Sequence, residues 1–178
     1  MRVIGGEFRS RRLRSIPGLA TRPTPDRLRE TLFDILGSSV QGAIFLDAYA
    51  GTGAVGIEAL SRGASRAIFL ERSKGAAKII HENLKSLSLE SRATVVLARA
   101  LAGIASQKAD IVFLDPPYDL ESEYRPVFEA LGENPPRLVI AQHSVRFPLA
   151  ESYGALQRTR VLKQGDNALS FYAPSGRS

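Results

Sequence analysis

The chain has 178 residues, 44 % of them hydrophobic and none of them cysteine, so it is long enough for one domain with a real core, and disulfides and thiolate metal sites are excluded. No apolar run reaches the ~20 residues needed to cross a bilayer, and the arginine-rich N-terminus lacks the apolar core of a secretory signal, so a cytoplasmic, membrane-free protein is expected. The net charge of +6 resides entirely in residues 1–29, where eight arginines face only Glu7 and Asp26; the rest of the chain carries 16 basic and 16 acidic residues.

Those arginines are Arg2, Arg9, Arg11, Arg12, Arg14, Arg22, Arg27 and Arg29. A guanidinium fork donates two parallel hydrogen bonds to a phosphate, so the segment reads as a phosphate-contacting arm on a neutral body. Val3, Ile4, Phe8, Leu13 and Ile16 alternate loosely with the arginines, which predicts a short β-hairpin with one basic face. Residues 17–23, with Pro17, Gly18 and Pro23, read as a linker. Thr24 is the expected N-cap of a helix, with Pro25 at its first position and Asp26 at its positive end. Leu28, Thr31, Leu32, Ile35 and Leu36 recur at helical spacing, and Gly37 closes the helix. On this pattern Arg27 and Arg29 also suit a solvated helix face.

From residue 43 strands and helices alternate. Strands are expected at Ala43–Tyr49, Ala67–Glu71, Ala93–Leu97, Asp110–Leu114 and Leu138–Gln142. The intervening helices run to about Leu60, over Lys74–Leu87, near Leu101–Ser106 and over Glu123–Leu131. Continuous apolar runs imply strands buried on both faces, hence a parallel sheet covered by helices. Ala155–Leu162 and Ala168–Ala173 flank a turn-rich connector and form a hairpin, so the last strand runs antiparallel. The expected fold is α/β and Rossmann-like: a seven-stranded, mostly parallel sheet with helices on both faces, plus the short basic N-terminal hairpin.

Two motifs carry chemistry. The first is Asp47-Ala48-Tyr49-Ala50-Gly51-Thr52-Gly53, continuing to Gly56, a glycine-rich turn between the first strand and its helix. Glu71 ends the second strand, where a carboxylate accepts hydrogen bonds from two ribose hydroxyls. A nicotinamide dinucleotide and S-adenosyl-L-methionine both carry such a ribose. A carboxylate at position 47 repels a pyrophosphate but attracts the cationic amino end of S-adenosyl-L-methionine. The second motif is Asp115-Pro116-Pro117-Tyr118 at the end of the fourth strand. It offers a carboxylate acceptor, a backbone stiffened by two prolines and an aromatic face on which a base stacks, a clamp for an exocyclic amine. That clamp favours the methyl donor, because a dehydrogenase has no use for it. His81 and His143 have no partners at metal-ligand spacing, and no metal is assigned. Phe33, Phe45, Phe69 and Phe113 fall on predicted core faces.

Asp47–Gly53, Glu71 and Asp115–Tyr118 together resemble the class I S-adenosylmethionine methyltransferases that modify exocyclic amines. Arg2-Val3-Ile4-Gly5-Gly6, Arg22 through Phe33, and Gly56 through Ala64 are similar to the bacterial RsmD-type family, whose members methylate guanine N2 in small-subunit (16S) ribosomal RNA. The resemblance implies the following roles. Asp115, Pro116, Pro117 and Tyr118 are catalytic. Asp47, Ala48, Tyr49, Ala50, Gly51, Thr52, Gly53, Glu71, Arg72, Arg99 and Ala100 bind the cofactor. Arg2, Arg9, Arg11, Arg12, Arg14, Arg22 and Arg27 bind RNA. Residues 1–22 would be an RNA-binding extension and residues 23–178 the methyltransferase domain, with the region from Arg22 to Arg29 over the cofactor pocket. Departures from the family pattern are Ala98-Arg99-Ala100-Leu101 after the third strand, where many relatives carry an acidic or amide residue near the adenine, and Gln142-His143 at the end of the fifth, where an acidic residue is expected. An adenine-N6 DNA methyltransferase shares the Asp-Pro-Pro-Tyr motif, and a non-catalytic RNA-binding module shares the fold. A monomer is expected.

Overall fold

In a computed structural model, which describes residues 1–17 and 25–176, a single sheet takes the strand order β3-β2-β1-β4-β5-β8-β7-β6. Five strands are mutually parallel: β1 (Ile44–Asp47), β2 (Arg66–Glu71), β3 (Ala93–Leu97), β4 (Ile111–Leu114) and β5 (Leu138–Ser144). Three more complete the edge: β6 (Ser152–Tyr153), β7 (Leu156–Gln164) and β8 (Asn167–Pro174). The last strand pairs antiparallel with β5 and with β7, as the hairpin pattern requires. Eight strands replace the expected seven. The extra one, β6, has two residues and is held only by its pairing with Gln157 and Leu156, too short to leave a period in the sequence.

Helices α1 (Asp26–Leu36), α2 (Ala54–Ser61) and α3 (Lys74–Ser86) cover one face of the sheet, and α4 (Ala100–Ile104) and α5 (Tyr124–Glu133) the other. On the first face Leu28, Leu32 and Phe33 pack with Phe45, Phe69 and Phe113. On the second, Tyr124, Val127, Phe128 and Leu131 pack with Leu46, Leu114 and Val139. The four predicted core phenylalanines are all buried. Pro25 is the N-cap of α1 rather than its first residue; Thr24 and Arg22 lie outside the described residues. Gly37 does close α1, its N–H donating to the Phe33 carbonyl at φ +50°.

The N-terminal arm folds back on itself. Val3 donates to the Arg11 carbonyl and Leu13 to that of Met1, around an antiparallel bridge between Arg2 and Arg12. It lies against the body, with Val3 and Leu13 in the core. Its seat is Glu58 of α2. That carboxylate, with no exposed surface, accepts the backbone N–H of Ile4 and of Gly5 at 2.9 Å each and the Arg62 Nε at 2.8 Å. Gly6 rides so close over α2 that a Cβ there would fall 2.0 Å from the Ser61 carbonyl oxygen, so only glycine fits.

Arg29 overturns the solvated-face reading. It is completely buried, donates to the Arg2 carbonyl at 2.6 Å and lies 3.6 Å from Glu58. Burial lowers its pKa, and the neighbouring carboxylates of Glu58 and Asp26 oppose that. A guanidinium is tolerated inside because its charge is paired.

Candidate active site

Strand β1 is flanked by β2 on one side and β4 on the other, so chain order reverses at β1. Ligands of open α/β sheets bind in the crevice that such a reversal opens at the carboxyl ends of the strands. Here Asp47 ends β1, Glu71 ends β2 and Asp115 follows β4. All three carboxylates line one cavity of about 780 Å³.

The glycine-rich turn forms its floor. Asp47 is buried and accepts the Gly56 N–H at 3.1 Å, which draws the first turn of α2 onto the strand end. Gly56 is needed for this close packing, since a Cβ would meet the Phe69 ring at 2.4 Å. Glu71 fixes the other wall: one carboxylate oxygen accepts the Gly51 N–H at 2.9 Å and the other the Ser73 N–H at 2.7 Å. A carboxylate has about four acceptor positions, so two remain for ligand hydroxyls. Ser73 also caps α3, its hydroxyl accepting the Ala76 N–H.

Electrostatics mark Asp47. Burial pushes its pKa up to about 7; the negative charges of Asp115 and Glu71 push the same way, and the Gly56 hydrogen bond opposes them. A cationic group in the cavity would reverse that balance, whereas a pyrophosphate would meet three carboxylates. These acceptors therefore fit a cationic ligand carrying hydroxyls.

On the far side, Pro116 is buried, Pro117 is extended at φ −60° and ψ 160°, and Tyr118 presents 58 % of its surface to solvent at the start of a 3-10 turn, Tyr118–Glu123. That turn is tied back to the β1 loop. Tyr49 donates its hydroxyl to Glu123 at 2.8 Å, and Arg72 lies 3.9 Å from Asp119 across the mouth. Burial and the Glu123 contact raise the Tyr49 pKa, so it stays a neutral donor.

Nearly all the residues assigned to the catalytic and cofactor sites meet here: Asp47 through Thr52, Glu71, Arg72, Arg99, Ala100 and Asp115 through Tyr118. Gly53 does not. Its Cβ direction faces Ile80 and Phe69 in the core, so it shapes the turn without lining the cavity. Sequence reasoning missed Met1, Ser15 and Ile16 of the arm, Ser73, and Glu123, all of which line it. The serine-to-helix boundary at residue 73 was a readable signal; the arm residues come from tertiary docking and left none.

The predicted RNA-contacting arginines are spread out. Arg2, Arg9, Arg11, Arg12 and Arg14 are exposed on the arm and Arg27 on α1. Arg11 donates to the Ser86 carbonyl at 3.1 Å, at the far end of a 13-residue helix, about 20 Å along the molecule from the cavity. Arg14 donates to Glu82, and its backbone pairs with Asn83, whose side chain also donates to the Thr52 carbonyl of the glycine loop. Among the described residues no acidic, histidine or cysteine cluster suits a metal. His81 is exposed, and His143 is buried 2.7 Å from the Ser170 hydroxyl.

Comparison with known proteins identifies the family and the fold. Residues 1–173 match the family described as Conserved hypothetical protein 95. The Bacillus subtilis protein named "Putative rRNA methyltransferase YlbH" is 35 % identical over 99 % of this chain and 100 % of its own. Ribosomal RNA small subunit methyltransferase D of Escherichia coli is 40 % identical over 66 % of this chain and 60 % of its own; this chain thus spans less than two thirds of that relative. The solved structure titled "Putative methyltransferase yhhF from Escherichia coli" superposes with a TM-score of 0.86 at 31 % identity, covering 99 % of each chain. An RNA methyltransferase from Salinibacter ruber, solved with S-adenosyl-L-homocysteine, shares the fold at a TM-score of 0.67 and 18 % identity, over 88 % of this chain and 97 % of its own. The chain belongs to the Conserved hypothetical protein 95 family, the RsmD-type family that its sequence resembles.

Proposed function

We propose that the chain is an S-adenosyl-L-methionine-dependent methyltransferase that modifies the exocyclic N2 amine of a guanine in small-subunit (16S) ribosomal RNA, acting as a cytoplasmic monomer. The observation that carries this reading is the convergence of Asp47, Glu71 and Asp115 on one cavity, with Asp115-Pro116-Pro117-Tyr118 forming its far wall. The names of the rRNA methyltransferase relatives support the RNA substrate.

In this reading Glu71 grips the ribose hydroxyls of the cofactor, and Asp47 faces its cationic amino end. When bound, the cofactor supplies an electrophilic methyl on a sulfonium sulfur. Arg99 and Ala100 border the adenine side. The lone pair of the guanine amine is delocalised into the ring and is a weak nucleophile. Asp115 accepts one amine hydrogen and the Pro116 carbonyl the other, returning density to nitrogen as it becomes tetrahedral. Tyr118 stacks on the base and holds it in line. Transfer would exchange the S–C bond of the bound methyl donor for the new N–C bond. The methylated nitrogen is strongly acidic and sheds its proton afterwards, so no prior base is required. The rate gain is positional and electrostatic. The target base leaves any stack to reach the site, which is easiest in a single-stranded loop. Residues 1–22 serve as an RNA-binding extension of the catalytic domain, residues 23–178, and the extension's arginines bind phosphates.

The test is transfer of labelled methyl from S-adenosyl-L-methionine to unmethylated small-subunit RNA, naked and assembled, followed by nucleoside analysis. N2-methylguanosine is expected, and Asp115→Ala should cut turnover by about 10²–10³-fold while cofactor affinity stays within a few-fold. N6-methyladenosine as product, or near-normal turnover in Asp115→Ala, overturns the assignment.

A further inference from the structure

Gln142 is a buried polar side chain that the fold does not explain. It has no exposed surface, yet neither its Nε2 nor its Oε1 has a hydrogen-bond partner. Buried polar groups are nearly always paired, and an orphan calls for a cause. Its place in the sheet supplies one. Leu114 of β4 pairs with Ala141 of β5, so Asp115, directly after the end of β4, and Gln142 follow the last registered pair of the two strands. Side chains alternate along β5: Ile140 belongs to the core on the α1–α3 face and Ala141 to the opposite core, which puts Gln142 on the α1–α3 face. Its partner in β8, Leu169, is on that same face. So is Phe113, which lines the cavity together with Asp115. His143, the next residue, belongs to the other side and is satisfied by Ser170.

We infer that Gln142 is a specificity-determining residue, whose carboxamide reads the N1–H and O6 of the target guanine while Asp115 holds the N2 amine. The inference rests on the proposed guanine-N2 activity. On the Watson–Crick edge of guanine N2–H₂, N1–H and O6 stand in a row, and an amide offers one donor and one acceptor: its N–H donates to O6, and its oxygen accepts from N1–H. An amide also matches the reversed pattern of adenine by flipping, so Asp115 on N2 fixes the sense. A carboxylate at this position would offer acceptors only and could not donate to O6. Gln142 does not itself line the cavity of the free chain, so the entering base must displace the side chains that lie over the amide.

The experiment crosses the side chain with the base. Wild type and Gln142→Leu are assayed on RNA carrying guanine or 2-aminopurine at the target; 2-aminopurine keeps the exocyclic N2 amine but lacks O6 and N1–H. Wild type should prefer guanine by about 10- to 100-fold in kcat/KM, the range of one bidentate base contact, and Gln142→Leu should bring the ratio near one. The thermal midpoint of Gln142→Leu should be equal or higher, because an unpaired buried amide contributes nothing to the free fold. An unchanged preference in Gln142→Leu, or a lowered midpoint with an unchanged preference, overturns the inference. Gln142→Met gives the same readout should the leucine variant fail to fold. Absence of N2-methylation by wild type on guanine RNA would instead sink the proposed function itself.

Discussion

Two buried carboxylates on one stretch of chain meet opposite fates. Glu58, on α2, is saturated: two backbone N–H groups of the arm, the Arg62 guanidinium and the buried Arg29 surround it. Asp47, at the end of β1, accepts one N–H among the described residues, that of Gly56, and faces two further carboxylates. A buried charge that is fully paired belongs to the framework; one left facing like charges costs stability in the free chain. The first locks the arm to the body. The second is complementary to a cation that the chain does not itself supply, which is what a site pre-organised for a cationic ligand looks like.

Breaking the satisfied carboxylate gives the larger effect. Glu58→Ala leaves Arg29 buried beside no anion on α2 and releases the Ile4 and Gly5 amides. A loss of about 3–5 kcal/mol in unfolding free energy is expected, read from urea denaturation, with protease cleavage appearing first in residues 1–16. A loss below about 1 kcal/mol would show that the arm is held by its apolar anchors, Val3 and Leu13, instead.

Asp47→Asn should do the reverse. The pKa of Asp47 rises from 3.8 to about 7 on folding, so between those pH values the folded chain holds a proton that the unfolded chain has lost. Stability from this group therefore falls as pH rises from about 4 to about 7 and stays low above it. The asparagine keeps an acceptor for Gly56 without the charge, so it should be more stable than wild type by about 1–3 kcal/mol at pH 8 and nearly equal at pH 4. Cofactor affinity should move oppositely: it strengthens in wild type as pH passes 7 and is weak and flat in the variant. A pH-independent stability difference between the two proteins would remove Asp47 from this role.

These two carboxylates also show what the sequence could and could not disclose. Asp47, Glu71 and Asp115 were legible because each ends an apolar strand, and a parallel sheet gathers strand ends at one edge by topology alone. Glu58 and Arg29 were not. Arg29 sits on a helix position that also reads as solvated, and its partner Glu58 lies 29 residues away along the chain; an ion pair of that kind leaves no local period. The arm was legible as basic and as a hairpin, but its docking was hidden, because Gly5 and Gly6 look like an ordinary turn until Ser61 is seen beneath them. Gln142 was visible only as a departure from the expected acidic residue; its lack of partners required the packed sheet.

The smallest effect concerns the arm's outer surface, which tests whether its role ends at the Glu58 anchor. Arg9 and Arg12 are exposed, so changing both to alanine should alter folding stability by no more than about 0.5 kcal/mol and leave cofactor affinity unchanged. RNA affinity is a different matter. Each guanidinium on a phosphate releases about one counterion, so the slope of log affinity against log salt should become shallower by about 2 in the double variant. The weakening should be pronounced at low salt and vanish as salt rises, and it should be the same for RNA with or without the target guanine, because phosphate contacts position without reading sequence. An unchanged slope would mean that Arg9 and Arg12 do not touch RNA phosphates. A sequence-dependent loss would instead give the arm a part in choosing the base, which the pocket alone is expected to hold.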